Sequence, residues 1–470
     1  MNRFGMVLLA VLFSLPLAAD DELPAGVKSV LAHRNIPADR VSIHVRNLVS
    51  GEKLLAWRVH EARNPASVMK LVTTLVALDV LGPAYTWRTE AYFLGERTGS
   101  TLHGDLLLKG YGDPFLVTER IWQFQRQLRQ AGIRRITGDL VIDDSWFEVG
   151  DYDPAAFDRE PLRAYNVEPN ALMSNFKVVR FLFEPDEQQS GVMIRLEPHL
   201  QNVAIDNRLS VTTGPCRGYR RGIAISPNDS FDQLTFSGRF PSGCQSYAMD
   251  RSVLSHNEFT YGLFRSLWLE SGGELEGHFR REVVPEGLEP DMAFESPPLA
   301  DVISKVNKHS NNVMARQLLY TLAAQVNGPP GTENGGRTIV RDWLARHNFD
   351  FPELTLDNGA GLSRSASITA SHMIDLLSYA WRSPYMPEYL SSMSLAGLDG
   401  TLSRRFRDES MQGMAHMKTG SLDDVSAIAG YLQGRSGDRY AIALFVNHTD
   451  SHRGTGEEVQ EALLRWVREH

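Results

Sequence analysis

The chain has 470 residues, of which 42% are hydrophobic and 22% charged, and this composition is typical of a folded globular protein rather than a disordered one. Its length predicts two or three compact units. The net charge of −9 and the lack of a basic run of the kind that tracks phosphates argue against a nucleic-acid-binding protein.

The first twenty residues, MNRFGMVLLAVLFSLPLAAD, have the layout of a secretory signal peptide, with cleavage predicted after Ala19. Their apolar part is shorter than the about 20 residues of a membrane span, and an uncleaved anchor is the alternative. Cleavage removes one arginine, Arg3, and no acidic residue, so the net charge of the mature chain would be −10. We therefore expect an exported chain that is soluble and at most loosely attached to a membrane.

Two elements are predicted directly after the signal peptide. Alternating apolar and polar residues around a Ser-Gly turn predict a two-stranded hairpin at about 41–48 and 53–59. The apolar run NPASVMKLVTTLVALDVLG, residues 64–82, predicts a buried helix. Ser67 and Lys70 stand near the start of this helix, and the simplest interpretation of the lysine is a surface residue on an amphipathic helix.

The middle of the chain is rich in predicted strands. From about residue 89, short alternating segments are broken by glycines, with the helical stretch TERIWQFQRQLRQAG between them. The region from about 192 to 252 is also strand-and-turn and contains the only two cysteines, Cys216 and Cys244. In an exported protein these two are expected to form a disulfide, with two buried free thiols as the alternative. Closing a loop of about 29 residues would stabilise the fold by roughly 3.5 kcal/mol.

Helical patterning returns in the last third, with helices predicted at 299–326, at 337–347 and from about 456. The stretches HMKTGSLDDVSAIAGYLQG and DRYAIALFVN predict two strands joined by a Gly-Arg-Ser-Gly-Asp turn. A helix-rich beginning and end thus flank a strand-rich middle, which is typical of one domain inserted into another.

Three short motifs stand out because of their order and their surroundings. The first opens the apolar helix, the second lies inside a helical stretch or at a break in it, and the third ends one strand-like run before another. Each alone has an ordinary interpretation as a surface lysine, a polar helix break or a turn lysine, but together they predict a serine nucleophile with its base. They are Ser67-Val68-Met69-Lys70, Ser310-Asn311-Asn312 and Lys418-Thr419-Gly420.

The first motif pairs a nucleophile with a base. A serine hydroxyl is a poor nucleophile at neutral pH unless a base is held against it. Ser67 and Lys70 are three residues apart, so on a helix they share a face. Burial and nearby cations would lower the pKa of the lysine, and a neutral lysine can accept the serine proton.

The other two motifs supply further groups. Ser310 would relay a proton to a leaving amine, and Asn312 would donate hydrogen bonds to Lys70 or to a substrate amide. Lys418 places a positive charge where a substrate carboxylate would lie, and Thr419 adds a hydroxyl donor.

Backbone groups would complete the site. The N–H groups of Ser67 and Ser421 would form an oxyanion hole, in which each donor is typically worth about 10²–10³ in rate. The strand after the Lys418-Thr419-Gly420 triplet would pair with an extended substrate.

The three motifs resemble those of the penicillin-binding protein and serine β-lactamase superfamily. More narrowly, the chain is similar to the class C low-molecular-mass penicillin-binding proteins, the D-alanyl-D-alanine carboxypeptidase/endopeptidases of the penicillin-binding protein 4 type. Ser67 and Ser310 are 243 residues apart, far more than the corresponding residues of class A β-lactamases, and in the named family a large insertion fills this gap. One departure is Asn311, where the family commonly has aspartate.

Other stretches also resemble family segments, so the likeness covers nearly the whole mature chain. They are GYGDPFL (110–116), GIRRITGDLVIDDSWF (132–147), DNGAGLSR (357–364) and AGLDGTLSRRF (396–406).

The resemblance implies an α+β fold: a transpeptidase-like domain with an antiparallel sheet flanked by helices and a large, mainly β insertion. We expect a signal peptide at 1–19, the transpeptidase-like domain at 20–88 and 285–470, and the insertion at 89–284, with a division into two subdomains near residue 190.

The implied function is that of a periplasmic enzyme acting on peptidoglycan peptides without cofactor or metal. Ser67 would attack the bond before a terminal D-alanine or at a D-alanyl-diaminopimelyl crosslink, and β-lactams would acylate the same serine. Asp158 or Glu160 of the insertion would meet the free end of diaminopimelate. The sequence leaves the oligomeric state open.

Several other interpretations are less favoured. A catalytically weak muropeptide or penicillin sensor, a β-lactamase and an esterase remain alternatives. Glu168 precedes the second motif, whereas the deacylating glutamate of class A β-lactamases follows it. His448 and His452 could clasp a metal, but they lie in a polar turn without an evident third ligand.

Overall fold

The computed structural model describes residues 22–186, 191–217 and 222–470. The predicted signal peptide, residues 1–19, lies outside these ranges. Within them, no helix combines the length and the apolar character needed to cross a membrane.

The elements are numbered in chain order. The helices are α1 (Ala25–His33), α2 (Lys70–Leu81), α3 (Thr118–Gln130), α4 (His256–Glu270), α5 (Leu299–Lys308), α6 (Asn312–Asn327), α7 (Glu333–Arg346), α8 (Ala370–Arg382), α9 (Met386–Ser391) and α10 (Thr455–Arg468). The strands are β1 (Val41–Asn47), β2 (Lys53–Trp57), β3 (Ala62–Arg63), β4 (Arg88–Thr98), β5 (Thr101–Gly110), β6 (Arg135–Ile136), β7 (Leu140–Asp143), β8 (Val178–Pro185), β9 (Val192–Glu197), β10 (Ala204–Thr212), β11 (Ile223–Pro227), β12 (Gln233–Pro241), β13 (Tyr247–Ser252), β14 (Glu274–Leu275), β15 (Phe279–Arg281), β16 (Met292–Glu295), β17 (Ile368–Thr369), β18 (Ser394–Leu395), β19 (Ala415–Leu422), β20 (Val425–Gln433) and β21 (Arg439–Asn447).

The two ends of the chain share one antiparallel sheet with the strand order β18-β19-β20-β21-β1-β2. Successive side chains of its central strands point to opposite faces. Ile428 of β20 packs in the cluster that contains α1 and α10, whereas Ala429 packs in the cluster that contains α2 and α5 to α8. Helices therefore cover both faces, which confirms the predicted α+β transpeptidase-like domain.

The insertion has its own core and three sheets. The largest has the strand order β14-β6-β5-β4-β16, with β7 pairing with β5 and β15. Two three-stranded sheets follow, β13-β8-β9 and β10-β12-β11. Helices α3 and α4 contribute Phe124, Leu128, Phe264 and Trp268 to the shared core. Most of the buried apolar side chains of the insertion belong to this cluster, and Tyr92, Leu107 and Val141 form a smaller one.

The pairing of strands shows where the insertion joins the rest of the chain. Strand β16 lies beyond the boundary expected at residue 284 and pairs with β4, so the main sheet of the insertion extends to Glu295. The division expected near residue 190 falls between β8 and β9, which pair with each other.

Three local features differ from the sequence expectation. The predicted helix at 299–326 is two helices, α5 and α6, separated at residues 309–311. The predicted single strand at 416–434 is the hairpin of β19 and β20, whose turn places Asp424 at a φ of 64°. Helix α4 was not predicted; Ser255 and Glu258 form a reciprocal capping box at its start.

The two cysteines form the predicted disulfide. Cys216 and Cys244 are bonded, and their separation of 28 residues agrees with the loop expected from the sequence. The bridge lies in the insertion, and the Cys244 side chain is in its core.

Candidate active site

The chain turns sharply just before the first motif. Ala66 has a φ of 45°, a left-handed conformation that costs a non-glycine residue about 1–2 kcal/mol. The Asn64 side chain stabilises this turn because its Oδ1 accepts the Ala66 N–H at 2.8 Å while its Nδ2 donates to the Ser363 carbonyl at 2.9 Å. Asn447 of β21 donates to the Asn64 carbonyl and accepts from the Asn64 N–H. Two distant segments therefore fix the position of Ser67.

Lys70 is fully buried, and its hydrogen bonds suit a neutral amine. Its Nζ lies 2.9 Å from Ser67 Oγ, 2.6 Å from Asn312 Oδ1 and 2.5 Å from the carbonyl oxygen of Ala360. Asn312 Oδ1 accepts from Lys70, so the direction expected from the sequence, in which Asn312 donates to Lys70, is wrong. The two carbonyl oxygens can take the two N–H bonds of a neutral amine, which leaves its lone pair for the serine hydroxyl. These contacts are compatible with the expected role of Lys70 as the base for Ser67.

Electrostatics favour the same state. Burial lowers the pKa of Lys70 well below its usual value, and the positive charges of Lys418 and then Arg316 lower it further. The described residues place no carboxylate within ion-pair distance of Lys70 or of Arg316 to offset this effect. The site therefore disfavours the charged form of the lysine.

The second and third motifs meet each other beside the first. Ser310 lies in the break between α5 and α6 with a φ of 55°. Lys418 Nζ donates to Ser310 Oγ at 2.9 Å and to the Thr419 carbonyl at 2.7 Å. Burial lowers the pKa of Lys418 to about 7. Asn311 caps α6 by accepting the Met314 N–H at 3.1 Å, and aspartate serves equally well as an N-cap.

Strand β19 passes very close to the nucleophile. A Cβ atom at Gly420 would lie 2.4 Å from the Pro65 carbonyl oxygen and 3.1 Å from the Ser67 nitrogen, so only glycine fits. Thr419 points away from this contact and donates its hydroxyl to Thr401 at 2.8 Å. Within the described chain, residues 418–422 have a strand neighbour on the β20 side alone. The other edge is free for an extended substrate.

A cavity of about 880 Å³ opens above Ser67 and lies between the two domains. From the transpeptidase-like domain it is lined by Ser310, Asn312 and Ser421 among others. The facing wall, which belongs to the insertion, includes Thr118, Glu119, Phe157, Asp158, Tyr165, Arg180 and Asp250.

The two acidic candidates of the insertion have different surroundings. Asp158 lines the cavity and accepts hydrogen bonds from Tyr165 Oη at 2.6 Å and Asn166 Nδ2 at 2.8 Å. Glu160 is not among the lining residues, and its carboxylate lies 3.5 Å from the Arg163 guanidinium. The structure therefore brings only Asp158 to the cavity that contains the motif residues.

The histidine pair and Glu168 have other partners. His452 Nδ1 accepts the Asp424 N–H at 3.0 Å, and its ring lies in a group with Asp424 and Asp450 whose ligand atoms are within 4.8 Å of one another. His448 is not part of this group. Glu168 accepts a hydrogen bond from Lys177 at 2.7 Å, so its carboxylate is paired within the insertion.

Two groups in the site were missed by sequence reasoning. The Ala360 carbonyl lies in the DNGAGLSR stretch, and a backbone acceptor has no signature of its own. Arg316 lies one turn after Asn312 on α6 and is only 4% exposed. Its Nη1 donates to Tyr152 Oη at 2.8 Å and to the Val167 carbonyl at 2.7 Å. A charged residue within an apolar helix was the available signal, as it was for Lys70.

In comparisons with known proteins, the chain matches D-Ala-D-Ala carboxypeptidases. The family model for the D-Ala-D-Ala carboxypeptidase 3 (S13) family matches residues 23–470. The chain is 28% identical over 437 residues to a D-alanyl-D-alanine carboxypeptidase of Actinomadura sp. (strain R39), covering 89% of this chain and 79% of that protein. It is 23% identical over 451 residues to the D-alanyl-D-alanine carboxypeptidase DacB of Haemophilus influenzae, covering 95% and 92%.

The fold is also similar to a solved structure. The crystal structure of penicillin binding protein 4 from Haemophilus influenzae has a TM-score of 0.80 at 20% identity, covering 94% of this chain and 99% of that chain. A second structure of that protein, complexed with a β-lactam, has a TM-score of 0.75. These matches confirm the predicted resemblance to the penicillin-binding protein 4 type.

Proposed function

Since the chain belongs to the D-Ala-D-Ala carboxypeptidase 3 (S13) family, we propose that it is a periplasmic serine peptidase that cleaves D-alanyl bonds of peptidoglycan through a Ser67 acyl-enzyme. The observation that carries the proposal is the set of contacts at Lys70. Of its three partners, Ser67 Oγ alone can donate a proton to a neutral amine.

Acylation begins with attack of Ser67 Oγ on the carbonyl carbon of the penultimate D-alanine, while the hydroxyl proton moves to Lys70 Nζ. The backbone N–H groups of Ser67 and Ser421 stabilise the oxyanion. Ser310 passes a proton to the leaving nitrogen as the C–N bond breaks and is reprotonated by the proton that Lys70 took from Ser67, so Lys70 is neutral again. The terminal D-alanine departs as a free amine. An ester between Ser67 and the acyl group remains.

Deacylation uses the same groups in reverse. Water attacks the ester carbonyl and gives a proton to Lys70, and the restored Ser67 hydroxyl leaves with that proton. Together, acylation and deacylation hydrolyse one peptide bond. A β-lactam would acylate Ser67 in the same way, but its leaving nitrogen would stay tethered to the acyl group and resist replacement by water.

A cationic group, Lys418, and a hydroxyl donor, Thr419, would bind the carboxylate of a terminal D-alanine. Lys418 and Thr419 belong to the part of β19 whose outer edge is unpaired; Lys418 donates to Ser310, and the Thr419 hydroxyl donates to Thr401. Asp158 lies on the opposite wall of the cavity, where its carboxylate would meet the ammonium group of a diaminopimelate side chain. In a crosslink the leaving nitrogen is the side-chain amine of the second peptide's diaminopimelate, so the free ammonium group that Asp158 would meet belongs to the donor peptide. Cleavage of this bond by the same steps is endopeptidase activity and is part of the proposal.

The proposed compartment rests on two observations. The first residues have the layout of a signal peptide, and the Cys216–Cys244 bridge is stable in an oxidising compartment.

The test is intact-mass measurement of the mature chain during incubation with benzylpenicillin, with Ser67→Ala as the control. We expect one adduct per molecule on the wild type, none on the variant, and slow loss of the adduct. Rapid loss would instead identify a β-lactamase. A folded wild-type protein that forms no adduct would overturn the mechanism and favour a peptide-sensing protein.

A further inference from the structure

Three arginines lie near the end of helix α3 of the insertion: Arg126 and Arg129 on the helix and Arg134 in the segment after it. Arg126 lies over the Trp122 ring and Arg129 over the Trp268 ring, but the side chains of the described residues offer none of the three arginines an ion pair or hydrogen bond. The neighbouring Arg135, by contrast, pairs with Glu274 and Glu276. The three guanidinium groups line one groove and carry the same charge, which an anion bound in that groove would offset.

These arginines line a groove rather than a flat surface. The groove has a volume of about 450 Å³ and is lined by Trp122, Gln125, Gln130 and Ser271 in addition to the three arginines. A volume of this size is within the range of small-molecule sites. The first turn of α3 lines the catalytic cavity through Thr118 and Glu119, so the groove lies farther along the same helix.

One residue in the wall of the groove, Gln125, has a buried hydrogen-bond acceptor that is not paired within the described residues. Gln125 is only 2% exposed, and its Nε2 donates to the Phe264 carbonyl at 2.6 Å. Its Oε1 has no donor among the described residues, and the buried Nη1 of Arg129 has no acceptor among them. An unsatisfied buried acceptor costs about 1–3 kcal/mol, so a ligand that donates a hydrogen bond to Oε1 would recover that cost.

An aromatic surface completes the set of groups. The Trp122 side chain is 46% exposed, unusually high for a tryptophan, and Arg126 lies over its ring at 5.7 Å. The rings of exposed tryptophans present a flat apolar surface with an N–H at one edge. Anion-binding arginines, hydrogen-bonding amides and an aromatic platform together fit a ring that carries hydroxyl groups and a negative charge.

We propose that this groove binds an anionic saccharide. The carboxylate or phosphate of the sugar would lie among the three arginines, a hydroxyl or amide of the sugar would donate to Gln125 Oε1, and the apolar face of the ring would contact Trp122. Inorganic phosphate has no ring to contact Trp122, and a neutral sugar has no charge to bind the arginines, so each would make only some of these contacts.

Calorimetric titration of the full mature chain tests the proposal with four probes. They are N-acetylmuramic acid, whose lactyl carboxylate is free, glucose 6-phosphate, N-acetylglucosamine and inorganic phosphate. We expect one or both anionic sugars to bind at least tenfold more tightly than N-acetylglucosamine and phosphate. Tight binding of N-acetylmuramic acid would indicate a sugar that carries a carboxylate, and tight binding of glucose 6-phosphate would indicate a phosphorylated sugar. Equal binding of phosphate, or binding of no probe, would overturn the proposal.

Variants connect the binding to the groove. Arg129→Gln and Trp122→Ala should each weaken binding of the anionic sugar by about tenfold, whereas Arg341→Gln, an exposed arginine on α7, should not. A thermal midpoint close to that of the wild type shows that each variant is folded. Unchanged affinity in both groove variants would refute the assignment. The titration does not involve Ser67, so it can fail or succeed independently of the proposed peptidase activity.

Discussion

The two walls of the catalytic cavity hold their charged groups in different ways. On the transpeptidase-like wall, Lys70 and Lys418 are completely buried, hydrogen-bonded and lowered in pKa. On the insertion wall, Arg180 and Asp250 remain largely exposed and pair with each other at 2.8 Å. Burial makes a charge reactive, whereas exposure leaves it available to a ligand at little cost. This difference supports the proposal that the first wall carries out the chemistry and the second recognises the substrate.

The largest effect is expected on the buried wall, from loss of the base. Lys70→Met should lower the rate of acylation by benzylpenicillin by about 10²–10⁴-fold, because Ser67 then lacks a group to take its proton. Stopped-flow or mass-resolved acylation rates measure this, with the exposed Lys28→Met as a matched control. An acylation rate within tenfold of the wild type would show that another group is the base.

Gly420→Ala tests how closely the buried wall is packed against the nucleophile. The added methyl group would displace either β19 or the Ser67 turn, and a displacement of about 1 Å costs roughly 10² in rate. The same acylation assay applies. Gly26→Ala is the control, because a Cβ atom there has no neighbour within 4 Å. Equal rates in the two variants would mean that β19 can shift without moving the site.

Arg316→Met separates electrostatics from packing. Neutral Lys70 is the active form, so the acylation rate rises with pH through the pKa of Lys70. Removing the Arg316 charge raises the pKa of Lys70, so the rising limb of the pH–rate profile should move to higher pH.

Tyr152→Phe provides the matched control for this profile. It removes one hydrogen bond to Arg316 but keeps the charge, so the limb should stay in place while stability falls by about 1 kcal/mol. If both variants move the limb equally, Arg316 acts by positioning α6 rather than through its charge.

The smallest effect is expected on the exposed wall. Asp158→Asn should raise KM about fivefold for peptides with a free diaminopimelate ammonium group, since an exposed charge pair is worth up to about 1 kcal/mol. Acylation by benzylpenicillin, which lacks that ammonium group, should not change. Glu160→Gln is the matched control on the same loop. Equal changes in KM for the two variants would assign the effect to the loop as a whole.

The buried wall could be predicted from the sequence because its chemistry needs particular side chains at fixed spacing. A lysine inside an apolar run stood out, and the order of the three motifs indicated the fold. Helix α4 was missed although Ser255 and Glu258 have capping-box spacing, because its apolar residues are spread around the whole helix. The hairpin after β19 was missed because Asp424, rather than a glycine, adopts the left-handed turn position.

The exposed wall was less accessible to sequence reasoning. Asp158 and Glu160 are two residues apart in a charged loop, and spacing alone does not distinguish them. The difference arises from the turn in which Asp158 accepts hydrogen bonds from Tyr165 and Asn166. Such a turn depends on side-chain geometry across several residues, which no periodicity reports.

The two hydrogen bonds between Asn64 and Asn447 affect when the active site can form during export. These residues are 383 positions apart, and the turn before Ser67 is held by both. In a chain that is exported from its amino terminus, the nucleophile would cross the membrane early and the last strand of the sheet almost at the end. If the proposed peptidase is exported in this direction, the turn before Ser67 would be completed, and the enzyme would become active, only after nearly the whole chain has crossed.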